Sequence, residues 1–202
     1  ERGLKEKTAL ATPGYVMIAP PESTKSHLIN LDGEVVHSWV GELAIVNHYL
    51  KENGNLVRLE VDPDFPTFAA GGQAGRIREY DWDGNILWDF EWADEDEHIH
   101  HDSELMPNGN ILAISYEAKS QEEAIAAGRD PEHVTKAGLW PDKIIEIRPS
   151  GKSGEIVWEW HMWDHLVQDR DPTKNNYGVL AENPRKINFN VFSEILPPMT
   201  EE

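Results

Sequence analysis

The chain has 202 residues, of which 39% are hydrophobic and eight are tryptophan, so it is long and apolar enough to close a packed core. Acidic residues outnumber basic ones by 37 to 18, and the net charge of −19 disfavours nucleic acid and anionic membrane surfaces as partners. Cysteine is absent, which excludes disulfides, thiolate metal sites and cysteine nucleophiles. No run approaches the roughly 20 apolar residues that a membrane span requires.

Hairpins of a first kind occur three times along the chain, at residues 27–39, 79–92 and 144–160. Each has a polar turn with glycine between two strands of alternating character. The fourth and sixth residues after the last turn glycine carry large rings: His37 and Trp39, Trp88 and Phe90, Trp158 and Trp160. Residues two apart in a strand share a face, so each of these hairpins presents an aromatic ledge to one side.

Hairpins of a second kind occur between them, at residues 49–59 and 104–114. Their turns are Asn53-Gly54 and Asn108-Gly109, a pairing typical of type I′ turns, in which both central residues need a positive φ. Each hairpin of the second kind precedes one of the first kind, which predicts four-stranded antiparallel units.

Recurring four-stranded units with an aromatic signature predict an all-β fold, a β-propeller, in preference to a β-sandwich. The predicted blades are residues 46–92 and 100–160, and residues 14–40 form the tail of an earlier blade. About three blades are fewer than the roughly four to eight that close a ring. We therefore expect either a missing C-terminal half or a homo-oligomer that completes the ring.

Two segments interrupt the strand rhythm. Within the second blade, residues 119–138 form an insertion in which Ser120 and Glu123 make a capping box and Gln121 to Ala127 predict a short helix. Residues 161–202 are predicted as an irregular tail with a helix at residues 161–169.

The candidate site residues cluster around the start of the second blade. Three histidines stand in the segment DEDEHIHHD at residues 94–102, and alternation places His98 and His100 on one face and His101 on the other. Aligning Gly109 with Gly54 sets His101 opposite Val46, so the repeat alone does not explain His101. A core or surface imidazole and a metal site at His98 and His100 are the alternatives.

Two further candidates lie outside that segment. Arg76 follows a glycine cluster that would let backbone amides approach an anion. His165 stands four residues after His161, so the two share a face of the predicted helix, where packing at the rim competes with a binding role.

Four stretches of the sequence resemble the bacterial arylsulfotransferases that do not use phosphoadenosine phosphosulfate. They are GYVMIAPPESTKSHLINLDGEVVHSW, GRIREYDWDGNILWDFEW, HHDSELMPNGNILA and WEWHMWDHLVQDRDPTKNNYG. The resemblance implies a six-bladed propeller, a periplasmic or secreted location, and sulfuryl transfer from a phenolic sulfate to a phenol through a sulfated histidine. It assigns His101 as a catalytic residue that hydrogen-bonds to sulfate or to the phenolic oxygen. Beside it we predict His100, Arg76 and His165 as substrate-binding residues and no metal or other cofactor.

The chain departs from the family pattern after Trp160, where the family's His-x-Asn-Ser and Ser-x-Arg elements do not occur. The nucleophilic histidine is therefore expected outside this chain, which we expect to be an incomplete portion without turnover of its own. The start at Glu1 fits a removed leader or a longer protein. A non-catalytic propeller that serves as a binding or scaffold module is the alternative, and a quinone-dependent dehydrogenase ranks last.

Overall fold

The computed structural model describes residues 3–64 and 72–191. Within them β-strands dominate, and the one α-helix is α1 (Gln121–Ala126). The strands are β1 (Val16–Ile18), β2 (Lys25–Ile29), β3 (Val35–Val40), β4 (Ile45–Leu50), β5 (Leu56–Val61), β6 (Gly75–Tyr80), β7 (Ile86–Glu91), β8 (Glu97–Leu105), β9 (Ile111–Glu117), β10 (Asp142–Ser150), β11 (Ser153–His161), β12 (Leu166–Val167) and β13 (Ile187–Asn188). Short 3-10 helices span Pro131–His133, Met162–His165 and Leu180–Glu182.

The strands form three successive antiparallel sheets and one small parallel pair. The first sheet has the order β1-β2-β3, the central sheet β4-β5-β6-β7 and the third sheet β8-β9-β10-β11, while β12 pairs with β13. These sheets confirm the predicted all-β class and the four-stranded antiparallel units. Their arrangement is propeller-like, and the described residues do not close a ring.

The central sheet is covered on both faces, which explains why five successive residues of β5 are buried. On one face Val57 and Leu59 pack with Ile145 and Ile147 of the third sheet in the main core. On the other, Leu56 joins Leu28, Trp39 and Tyr80 in a second core against the first sheet.

The aromatic ledges of the first-kind hairpins join each sheet to the next. In the first sheet, His37 Nε2 lies 2.9 Å from the carbonyl oxygen of Trp82, and Trp39 Nε1 donates to the carbonyl of Asp81. In the central sheet Trp88 Nε1 donates to the carbonyl of Ser153. The ledges of the first and central sheets therefore each hold the hairpin turn of the following sheet.

The second-kind hairpins form as predicted, but the predicted type I′ turn is wrong. Gly54 and Gly109 have positive φ values of 87° and 86°, whereas neither Asn53 nor Asn108 does. The turn amide of each glycine instead bonds three residues back, as in a type I turn closed by a left-handed glycine. The asparagine side chains accept from the amides two residues on, which stabilises this geometry.

The capping box at Ser120 and Glu123 is confirmed at the start of α1. The predicted helix at residues 161–169 is wrong. Residues up to His161 extend β11, which pairs there with Lys143 of β10, and only a single 3-10 turn follows. Among the described residues, no helix has the length and apolar character to cross a membrane.

Candidate active site

The candidate site lies where β4 and β8, the first strands of the central and third sheets, approach each other. A cleft of about 570 Å³ opens beside β4. Its wall includes residues 44–48, Gly72 and Gln73, and the loop at residues 19–22 faces them. The cleft therefore lies between the first and central sheets, and Gly72 in its wall contacts the segment that carries the three histidines.

A β-bulge in β8 shapes the histidine segment. The pairing of β8 with β9 shifts between Ile99 and Ser103, and His101 has a φ of 55° in the left-handed region. The bulge breaks the strand alternation, so the prediction that His100 and His101 face opposite sides is wrong. Their rings lie 5.0 Å apart between centroids at an interplanar angle of 88°.

His100 stands behind His101 in a buried position. Its Nδ1 lies 2.8 Å from His101 Nδ1, and its Nε2 lies 3.2 Å from Asp142 Oδ1. The second contact is electrostatic and not a well-aligned hydrogen bond. The His100 ring also stacks on Tyr116, with centroids 3.6 Å apart. His101 by contrast is exposed, so of the two it is the one able to meet a ligand.

Gly72 contacts both the backbone and the ring of His101. The His101 amide donates to the carbonyl of Gly72 at 2.6 Å. A Cβ atom at Gly72 would lie 2.5 Å from Nε2 and Cδ2 of the His101 ring, and Gly72 has a φ of 76°. Because only glycine allows this approach, the His101 imidazole lies flush against a residue of the cleft wall.

Asp102 ties the bulge to β4. Its Oδ1 accepts hydrogen bonds from Asn47 Nδ2 and from the Tyr49 hydroxyl, each at 2.6 Å, and from the Ser103 amide at 2.8 Å. Burial and then the hydrogen bond to Asp102 raise the pKa of Tyr49 to about 12, so the phenol stays a donor at neutral pH. Asn47 and Tyr49 thus anchor the residue that follows His101.

The part of the chain that carries this geometry matches the model of one protein family. The family model described as Arylsulfotransferase (ASST) matches residues 46–192, which include nearly all of both four-stranded sheets and the whole histidine segment. The chain belongs to the arylsulfotransferase family. The family resemblance expected from the sequence is therefore confirmed.

Comparisons with individual proteins add little to the family assignment. No curated protein matches this arylsulfotransferase-family chain. Among solved structures, the chain is similar to a protein of unknown function from Bacteroides caccae, with 14% sequence identity and a TM-score of 0.45. That similarity covers 82% of this chain and 44% of the other. The chain therefore spans less than half the length of that relative.

Arg76, a predicted substrate-binding residue of this family member, is already surrounded by carboxylates. Its guanidinium pairs with Asp62 at 3.0 Å, Asp89 at 2.9 Å and Glu91 at 2.5 Å. Burial opposes its charge, but the bonds to Asp89 and Asp62 outweigh burial and raise the pKa of Arg76. The structure thus gives Arg76 a place in the packing of β6, and a substrate contact for it stays a prediction.

His165 lies in a different environment from the histidine pair. Its ring stacks on Trp160 at the end of β11, with centroids 4.7 Å apart. His161, which the sequence set on the same helix face, instead lies 3.0 Å from Glu117. The shared helix face is therefore absent, and the substrate-binding role of His165 stays a prediction.

His98 is buried beside the site. Burial, followed by the nearby charge of His100, lowers the pKa of His98 to about 4. Its ring lies close to Gly75, where an added Cβ would approach it to 3.1 Å. Across the described residues, no cluster of three or more His, Asp or Glu side chains is placed to hold a metal ion.

Sequence reasoning missed Asn47, Tyr49, Asp142 and Tyr116. One signal for the first was present: Asn47 and Asp102 are 55 residues apart, as are the aligned glycines of the two repeats. Equivalent positions on neighbouring inner strands are adjacent in a radial arrangement of repeats. The pair could thus have been predicted from the repeat offset.

Proposed function

We propose that this chain forms part of an enzyme that transfers a sulfuryl group from a phenolic sulfate ester to a phenol through a sulfated histidine. The observation that carries the proposal is the exposed imidazole of His101, fixed against the wall of the cleft in a chain of the arylsulfotransferase family. The periplasmic or secreted location and the completion of a ring by further chain or a second copy are part of the same proposal.

The proposed reaction has two balanced steps. The S–O ester bond of the donor breaks as an N–S bond forms to a histidine, and the released phenolate takes up a proton. The N–S bond then breaks as the oxygen of the acceptor phenol bonds to sulfur and the acceptor loses its proton. A covalent intermediate of this kind divides one difficult transfer into two easier ones.

Within this scheme His101 contacts the phenolic or sulfate oxygen, and we assign the nucleophile to none of the described histidines. Positioning carries most of such a reaction, because in each step the phenolic oxygen, the sulfur and the histidine nitrogen must be held in line. The Asp102 bonds and the contact with Gly72 would supply that positioning for His101.

The test is transfer of the sulfuryl group from 4-nitrophenyl sulfate to phenol by the full-length protein, measured as release of 4-nitrophenol. His101→Asn is expected to lower the rate by about 10²–10⁴-fold if His101 takes part in proton transfer. The matched control is His27→Asn, since His27 bonds to Ser38 in the first sheet, away from the site. Equal rates for both variants, or no transfer by the wild type, would instead favour a non-catalytic scaffold.

A further inference from the structure

Three side chains form a line that ends at the exposed ring of His101. Asp142, at the start of β10, lies 3.2 Å from His100 Nε2, and His100 Nδ1 lies 2.8 Å from His101 Nδ1. Each histidine ring has two nitrogens, and in the neutral form one carries hydrogen and the other a lone pair. The contacts therefore constrain where the hydrogens lie.

The carboxylate of Asp142 determines which nitrogen of the His100 ring carries the hydrogen. A lone pair on His100 Nε2 would face a negatively charged oxygen, whereas an N–H there is attracted to it. His100 in its neutral form then carries its hydrogen on Nε2, and its Nδ1 is an acceptor. The His100 ring is buried while the Asp142 side chain is half exposed, so solvent reaches the carboxylate but not the imidazole nitrogen that faces it.

The position of the hydrogen on the His101 ring follows from its position on the His100 ring. Because His100 Nδ1 is an acceptor, the short contact at 2.8 Å requires a hydrogen on His101 Nδ1. His101 Nε2 is then left with a free lone pair. This is the nitrogen that lies beside Gly72 on the cleft wall.

We propose that Asp142 and His100 are positioning residues that fix His101 in the Nδ1–H tautomer, so that its Nε2 accepts a proton from the acceptor phenol. The catalytic part of this inference rests on the proposed function. As the phenol O–H bond breaks, an N–H bond forms at Nε2, and the electron pair stays on the oxygen that bonds to sulfur. A bare Nε2 cannot donate to a sulfate oxygen, so the geometry selects the phenol as the partner of His101 in this state.

The bulge makes the line possible. In a regular strand two successive side chains point to opposite faces. The left-handed backbone of His101 and the shifted pairing between Ile99 and Ser103 bring the two rings to the same side. Stacking on Tyr116 holds the His100 ring plane, so the direction of its Nδ1 is set by packing.

The deciding measurement is the ¹⁵N chemical shift of each imidazole nitrogen in the wild-type chain at pH 7.5. We expect protonated Nδ1 and bare Nε2 at His101, with the reverse at His100. The Asp142 carboxylate attracts an N–H on His100 Nε2 and repels a lone pair there, so a single tautomer should dominate. Protonated Nε2 at His101 would overturn the proposal without any variant being made.

Two variants test the origin of the tautomer. Asp142→Ala removes the carboxylate. His100→Phe removes the acceptor nitrogen and keeps the stack on Tyr116. Each variant should reduce the excess of the Nδ1–H form at His101 by about tenfold. The matched controls are Asp83→Ala, an exposed turn residue, and His37→Phe, another histidine stacked on an aromatic ring. Unchanged His101 shifts in both Asp142→Ala and His100→Phe would refute the role of the line.

The sulfate transfer assay separates this inference from the proposed function. With both correct, Asp142→Ala lowers kcat about tenfold or more with little change in KM for the phenol. With the expected tautomer but no transfer by the wild type, the proposed function fails and the assignment of the hydrogens stands. With transfer present but Nε2 of His101 protonated, the function stands and the line is refuted.

Discussion

Removing the carboxylate of Glu60 is expected to destabilise the fold strongly, because Glu60 neutralises a cation between the first and central sheets. Both side chains of the Arg58 and Glu60 pair are fully buried, and Arg58 Nε lies 2.7 Å from Glu60 Oε1. The same Oε1 accepts from the Tyr80 hydroxyl at 2.8 Å. Burial raises the pKa of Glu60 against the opposing effect of Arg58, so its ionised state depends on these partners.

The expected loss can be worked from these contacts. Glu60→Ala leaves the buried guanidinium without a carboxylate, which typically costs about 3–5 kcal/mol. Arg58 keeps hydrogen bonds to the carbonyls of Thr24 and Leu43 at 3.3 and 3.1 Å, and these do not cancel its charge. For a chain of this size the loss corresponds to a fall in Tm of about 6–20 °C.

The assay is urea unfolding, read as a change in midpoint at constant m value. The matched control is Glu155→Ala, because Arg148 and Glu155 approach to 2.5 Å while their side chains are 57% and 61% exposed. An exposed pair is worth below about 1 kcal/mol despite its short distance. Equal losses in the two variants would refute the reasoning that burial, and not distance, determines the effect.

The pKa of about 4 for His98 means that the unfolded chain binds more protons between pH 6.5 and 4, so stability falls as pH falls through that window. A difference of one unit between the folded and unfolded pKa corresponds to about 1.4 kcal/mol. Between pH 7 and pH 4 the free energy of unfolding of the wild type should therefore fall by about 3 kcal/mol more than that of His98→Gln, as measured by urea unfolding. Gly72→Ala should cost about 1–3 kcal/mol more than Gly84→Ala in thermal unfolding, because both have positive φ but only the first methyl meets the His101 ring. Asp102→Ala should lower the free energy of unfolding by about 1–3 kcal/mol and speed hydrogen exchange of the His101 amide. Asp102→Asn keeps the acceptor oxygen and should show less than half of each effect.

The hairpins could be predicted because their signal is local. Alternation of apolar and polar residues follows from the geometry of a single strand, and β9 buries every second residue as its sequence indicates. The turn type was wrong because the Asn-Gly pair fits both a two-residue loop and a loop closed by a left-handed glycine. Strand pairing beyond the turn decides between them.

The helix predicted at residues 161–169 failed for a different reason. The spacing of His161 and His165 suits a helix, but strand pairing takes residues from both ends of the segment. His161 pairs with Lys143 of β10, and β12 pairs with β13, so tertiary pairing outweighs local propensity. Such a ladder depends on residues far away in the sequence and gives no local signal.

The candidate site was predicted in part. The repeat comparison singled out His101, because the matching position in the other repeat is Val46. The contact of His101 with His100 was not predictable, since it depends on a bulge that alternation rules do not describe. Asp142 follows the insertion that carries α1 and reaches His100 only through the pairing of β9 with β10.

The ledge contacts between sheets have a consequence for how sequences of this architecture can change. In all three bonds the ring nitrogen belongs to one sheet and the acceptor is a main-chain carbonyl of the next, at Asp81, Trp82 and Ser153. Because the acceptor is part of the backbone, the receiving hairpin needs the right turn shape and no particular side chain. A duplicated hairpin can therefore diverge in sequence at its turn and still be held by the sheet before it.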